Sequence, residues 1–125
     1  MIENEISNKI IGCAIQVHKV LGPGLLESAY EECLASEFRA QGLNFERQKP
    51  VPVIYRDVKL DCGYRLDFLV EDRVIVELKA IDVVPPVAYA QLLTYLKMTN
   101  KHLGILINFH VVQLKQGIKR VVNYL

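Results

Sequence analysis

Apolar residues recur every three or four positions at the start of the chain. Ile2, Ile6, Ile10, Ile11, Ala14, Val17, Val20 and Leu21 form one stripe, which predicts a helix over residues 2–21. Leu21-Gly22-Pro23-Gly24 stops it, because Gly22 suits a left-handed position past a helix end and Pro23 cannot continue the ladder. The helical period resumes over 25–41, with Leu26, Tyr30, Cys33, Leu34 and Phe38 on one broad face, until Gln41-Gly42. From Leu43 to Asp61 the pattern turns strand-like. Phe45 and the run Pro50 to Tyr55 read as strand, with prolines suited to a sheet edge. Arg56-Asp57 reads as a turn and Val58-Lys59-Leu60 as the return strand. From Tyr64 to Ala80, two β-branched-rich segments flank Glu71-Asp72-Arg73, the pattern of a hairpin with a short loop.

A loop closed by Pro85 and Pro86 follows, and Pro86 can start a helix near its first position. Val87, Tyr89, Ala90, Leu92, Leu93, Tyr95, Leu96 and Met98 make residues 87–99 a helix apolar enough to lie on a sheet, ended by Asn100-Lys101. Leu103 to Phe109 is a near-continuous apolar run, hence a buried strand. Val111–Leu114 and Ile118–Tyr124 read as a closing hairpin about Gln116-Gly117. The expected order is ααββββαβββ, an α/β domain over 1–125 with helices packed on a central mixed sheet.

A chain of 125 residues can bury a real core, roughly two thirds of the surface its unfolded form exposes. Its 51% apolar and 23% charged residues are those of an ordinary globular protein. No apolar run approaches the ~18 residues that span a bilayer. The acidic, amphipathic start Met1 to Ile6 does not read as a secretory leader. Cys13, Cys33 and Cys62 are widely spaced with no CxxC pair, which points to free thiols in a reducing compartment, the cytoplasm. No His/Cys spacing suggests zinc, and His18 reads as a favourable charge at a helix C-terminus. The net charge of +1 changes the picture most. A protein that holds nucleic acid by charge alone carries a clear basic excess. Contact with phosphate therefore needs a local patch or a bound metal ion.

The hairpin carries the candidate chemistry. With its loop centred on Asp72, Asp67 opposes Glu77, their Cβ atoms roughly 4.5–5.5 Å apart. Strand alternation puts Arg65, Asp67, Glu77 and Lys79 on one face, and Leu66, Phe68, Val76 and Leu78 on the other. Opposed carboxylates repel and call for a cation: Lys79, Arg65 or a divalent metal. As a solvated salt-bridge cluster they would contribute under about 1 kcal/mol, too little to account for the pairing. Glu27 lies in the first turn of the second helix, where a carboxylate is favoured. Glu27, Tyr30, Glu31 and Leu34 share its core-facing side, on which Tyr30 reads as core. Gln91 and Tyr95 stand at i and i+4 on one helical face.

Asp67…Glu77-x-Lys79 is the Asp…Asp/Glu-x-Lys pattern of restriction-endonuclease-like nucleases, and Gln91-Leu-Leu-Thr-Tyr95 is similar to the Q-x-x-x-Y element of their exonuclease-type members. Gly24-Leu-Leu-Glu27-Ser-Ala-Tyr30 carries the motif that names the GxxExxY protein family. The likeness continues through Val17–Gly24, Gln48–Val53, Val74–Ala80, Gln91–Leu96 and Ile107–Arg120, covering roughly residues 6–124. The chain thus resembles a small bacterial or archaeal GxxExxY protein of the PD-(D/E)xK superfamily, whose fold is a mixed sheet flanked by helices. Two departures are visible: Leu66 in place of proline before Asp67, and His110 where glycine is usual after Asn108-Phe109.

What the resemblance implies is metal-dependent phosphodiester hydrolysis in DNA. Asp67, Glu77 and the Leu78 carbonyl would bind Mg²⁺ or Mn²⁺, with Glu27 at the same ion or a second one. Lys79 would orient the attacking water or help deprotonate it. Gln91 and Tyr95 would steady the substrate phosphate or the metal shell, with Tyr30 and Arg65 as further substrate contacts. The alternative is a catalytically silent module that keeps the fold and binds nucleic acid or protein. A third reading is a subunit whose groove is completed by homodimerisation.

Overall fold

Residues 2–125 are described by the computed structural model. The two stripes fold as α1 (Glu3–Leu21) and α2 (Glu27–Ala40). α1 buries Ile6, Ser7, Ile10, Cys13, Ala14 and Val17, while Ile2 and Val20 at the ends of the expected stripe stay exposed. Between the helices the turn needs its glycines, since Gly22 has φ 66° and Gly24 φ 103°. The Tyr30 hydroxyl ties this turn down. It donates to the Gly22 carbonyl at 2.6 Å and accepts from the Leu25 N–H at 3.2 Å.

The main sheet contains β1 (Phe45–Pro50), β4 (Arg65–Val70), β5 (Val74–Lys79), β6 (Leu103–Asn108) and β7 (Ile118–Val122), in spatial order β1-β4-β5-β6-β7. A separate two-stranded sheet pairs β2 (Val53–Tyr55) with β3 (Val58–Leu60). Among the described residues, only β5 and β6 run parallel. Such a pair needs a crossover, supplied by α3 (Pro86–Thr99). Pro86 is its first residue, and Asn100 ends it in the left-handed conformation at φ 55°.

The α/β class and the helix-flanked mixed sheet are as the sequence implies. The element order differs in two places. The apolar run at 50–55 is cut at Val51-Pro52, so β1 ends on the edge of the main sheet and β2 joins another. Proline has no N–H to offer a ladder. The closing hairpin is absent too: residues 111–113 form no strand, Leu114–Gly117 is a 3₁₀ turn, and β7 pairs back on β6. Here the Val111 carbonyl is held by His18 Nε2 at 2.9 Å. Gly117 rests against the Asn108 carbonyl, where a Cβ would collide.

The core lies on both faces of the sheet. Ile6, Ile10, Leu34 and Phe38 of α1 and α2 pack on Phe68, Val76, Leu78 and Ile105. On the other face Leu92, Tyr95 and Leu96 of α3 meet Leu66, Leu69, Ile75 and Leu106. Gly104 lets α3 sit close, because a Cβ there would stand 2.8 Å from Leu92. No helix among the described residues is long and apolar enough to cross a membrane.

Candidate functional site

Pairs Val70↔Val74, Leu69↔Ile75 and Phe68↔Val76 set the β4–β5 register. This puts Asp67 across from Glu77, as a loop centred on Asp72 predicts. The regular ladder stops there, and the two carboxylates replace it. Glu77 Oε2 accepts from the Asp67 N–H at 2.8 Å, and Asp67 Oδ2 accepts from the Leu78 N–H at 2.8 Å. The other flank is interrupted at the same level. Pairing of β1 with β4 runs through Arg47↔Phe68 and Lys49↔Leu66 and skips Gln48, which has φ 51°. Alternation along β4 fails here as well: Leu66 packs on the α3 side and Phe68 on the opposite one. The expected face of Leu66, Phe68, Val76 and Leu78 is therefore corrected at Leu66. A carboxylate that captures a neighbouring backbone N–H breaks the ladder on which the two-residue period depends.

The charges form one connected field. Glu77 is buried, and burial followed by the Asp67 charge pushes its carboxyl up to about 8, against the pull of the Asp67 N–H and Lys79. A hydrogen bond between the Asp67 and Glu77 side chains acts in the same upward direction. Burial also raises Asp67, which the Leu78 N–H draws down and the Glu31 charge raises further. Glu27, at the first position of α2, is raised by partial burial and then by Asp67, with Lys79 opposing. The charge at the start of α2 is thus felt together with those of Asp67 and Lys79. Lys79 lowers all three carboxyls, and among the described residues it makes no salt bridge of its own. On α3, burial, then Glu77, Tyr64 and Asp67 push the Tyr95 phenol up to about 12.

Gln91 is exposed and lines a groove together with Tyr95. Two substrate contacts expected from the sequence lie elsewhere. Tyr30 is wholly buried, its ring stacked on Phe109 at 4.4 Å between centroids and its hydroxyl committed to the glycine turn. It has no surface to offer a substrate, and its work is to fix the start of α2. Arg65 turns to the Tyr64 carbonyl at 3.0 Å and Asp61 at 3.9 Å, and it is not among the charges that shift Asp67 or Glu77. Three further residues support the site. Gln48 Nε2 donates to Glu31 Oε1 at 2.8 Å and, at 3.4 Å, to Asp67 Oδ1. Arg47 holds Glu31 from the other side at 2.7 Å. Buried Asn108 donates to the Ile81 carbonyl at 2.8 Å and accepts from the Ile81 N–H at 3.2 Å, bracing the chain just past Lys79. Glu31 had a signal, since it follows Glu27 by one helical turn. A left-handed glutamine in a strand has none.

Among the described residues, no three His, Cys, Asp or Glu side chains form a ready-made metal cluster. The donors nevertheless fit a hard divalent cation. Asp67 and Glu77 offer oxygen only, and near neutral pH a proton neutralises Glu77 beside Asp67 where a cation could replace it. Mg²⁺ in particular keeps several waters and binds through one or two carboxylates plus substrate phosphate, so it does not require an all-protein cage.

The sequence profile of the PD-(D/E)XK nuclease superfamily matches residues 4–121. No curated protein and no solved structure matches the chain. Nucleases of this superfamily generally use divalent metal ions, in keeping with an all-oxygen donor set beside a lysine. The match covers most of α1, all of α2 and α3 and every acid of the site, and by it this chain belongs to the PD-(D/E)XK nuclease superfamily.

Proposed function

We propose that the chain is a metal-dependent nuclease that hydrolyses phosphodiester bonds in DNA. The observation that carries the reading is the reciprocal capture of strand backbone by Asp67 and Glu77, both at 2.8 Å, within the field of Glu27 and Lys79. Asp67, Glu77 and the Leu78 carbonyl would hold Mg²⁺ or Mn²⁺. Such an ion, when bound, polarises a phosphoryl oxygen and makes a bound water a nucleophile near neutral pH. Lys79 is suited to stabilising charge that develops on the phosphoryl oxygens and to orienting the water. Glu27 would serve the same ion or a second one from the start of α2, which the Gly-Pro-Gly turn and Tyr30 fix. Gln91 and Tyr95, in the groove along α3, would contact the substrate from that side. The clamped Gly24…Glu27…Tyr30 unit supports placement within the GxxExxY family, and three unpaired cysteines support a reducing compartment such as the cytoplasm.

The test is divalent-dependent cleavage of DNA that disappears in Glu77→Ala and Lys79→Ala. Robust cleavage by both variants would rule this site out. The net charge of +1 favours a second reading, a non-catalytic module on the same fold. Calorimetric titration of Mg²⁺ separates the two: binding that Asp67→Asn abolishes supports the enzyme, and no binding at millimolar metal supports the module.

A further inference from the structure

The edge of the sheet and α3 border a groove of ≈ 270 Å³, with Tyr95 in its lining. At roughly 30 Å³ per water, that is room for a flat heterocycle. Val51 forms its floor, buried and anchored by its N–H to the Tyr64 carbonyl at 2.9 Å. Tyr64 is a half-exposed wall, its ring set edge-on to Tyr95 with centroids 6.0 Å apart. Met98 closes one end and is itself contacted by the Ile54 N–H through sulfur at 3.5 Å. At the rim, the Thr94 hydroxyl is committed to the Ala90 carbonyl at 3.0 Å, and the exposed Gln91 amide remains as the polar reader.

We propose that this groove receives one nucleobase from a single-stranded or locally unpaired stretch of DNA, beside the phosphate held at the acids. The choice of neighbour rests on the nuclease reading, and the choice of occupant on the groove's own lining. Tyr95 belongs to both places: it lines the groove and lies in the field of Glu77 and Asp67. The half-exposed Tyr64 ring offers a planar π-system a face, with the largely buried Tyr95 and the Met98 thioether lining the inner side. Gln91 offers a donor and an acceptor to its polar rim. A base inside a duplex is stacked and paired and cannot enter such a slot without leaving the helix. Charge argues the same way. With a net charge of +1, the chain lacks the basic excess on which purely electrostatic binding rests. Stacking of bases on aromatic side chains needs no basic surface.

The experiment is fluorescence anisotropy with a chelator present, using a short fluorescein-labelled single-stranded oligodeoxynucleotide, its duplex, and a single strand with one abasic position. Thr94→Trp fills the groove from an exposed helix position, and circular dichroism checks its fold. The single strand should bind at least about tenfold tighter than the duplex, and Thr94→Trp should cost about tenfold on the single strand. Removing the base should bring no further loss in Thr94→Trp, because the groove is already closed. Tyr64→Ala should give a loss of similar size. Equal affinity for both forms of DNA, or wild-type affinity in Thr94→Trp, overturns the proposal. Cleavage assayed in parallel keeps the two readings apart. Groove-dependent binding without cleavage sinks the nuclease and keeps the groove. Cleavage with unchanged KM in Thr94→Trp does the reverse.

Discussion

Glu77→Gln should make the metal-free protein more stable than the wild type in alkaline solution. The Glu77 carboxyl is pushed from its ordinary 4.5 to about 8 inside the fold. A raised carboxyl contributes stability that is fully present below pH 4.5 and lost as pH rises through about 8. Over that interval the loss runs at about 1.4 kcal/mol per pH unit, a ceiling of about 5 kcal/mol. Relaxation around the buried charge reduces this to about 2–3 kcal/mol. Asp67 and Glu27 are raised as well and act in the same sense. Glutamine keeps the acceptor for the Asp67 N–H and offers its amide to the Asp67 carboxylate, so the site stays filled without the charge. Urea unfolding followed by circular dichroism, with a chelator, at about pH 5, 7 and 9 gives the comparison. Wild-type stability should fall across the series, and Glu77→Gln should fall less and overtake it by about pH 9. Parallel pH profiles for the two proteins would refute the reasoning.

Because a divalent ion competes with the proton on Glu77, the thermal shift produced by Mn²⁺ should grow from about pH 6 to pH 8 and vanish in Asp67→Asn; differential scanning fluorimetry reads it. Gln48→Ala and Gln48→Gly both remove the amide bridge between Glu31 and Asp67, but only glycine accepts φ 51° without strain. Both should lower kcat by about tenfold while glycine stays about 1 kcal/mol more stable than alanine, as steady-state cleavage and urea unfolding will show. Tyr30→Phe keeps the stack on Phe109 and loses the hydroxyl's two bonds to the glycine turn. It should cost about 1–2 kcal/mol in urea unfolding and weaken Mg²⁺ binding in calorimetry by loosening Glu27.

The helices were readable because each announces its ends. Gly22-Pro23-Gly24, Gln41-Gly42, Pro86 and Asn100 are stop and start signals whose chemistry leaves little choice. The hairpin register was readable for a similar reason: a polar tripeptide between two apolar segments has one sensible centre. What failed was everything that assumed an unbroken ladder. Alternation put Leu66 with Phe68 and Arg65 with Asp67, yet the two carboxylates take backbone N–H groups from the opposite strand and end the alternation there. The same assumption extended the edge strand across Val51-Pro52 and paired residues 111–114 with the last strand. Tyr30 was legible as core from its helical face, and the resemblance alone moved it toward substrate. Gln48 lies beyond pattern reading, since its role comes from a left-handed backbone that its sequence neighbours do not signal.

A crystal structure soaked with Mn²⁺ tests the shared-cation site most directly. The account expects an anomalous peak against the Asp67 and Glu77 carboxylates and the Leu78 carbonyl, with Glu27 turned toward it and the Lys79 ammonium alongside. Manganese elsewhere, or none at these acids with Glu27 pointing away, would contradict it.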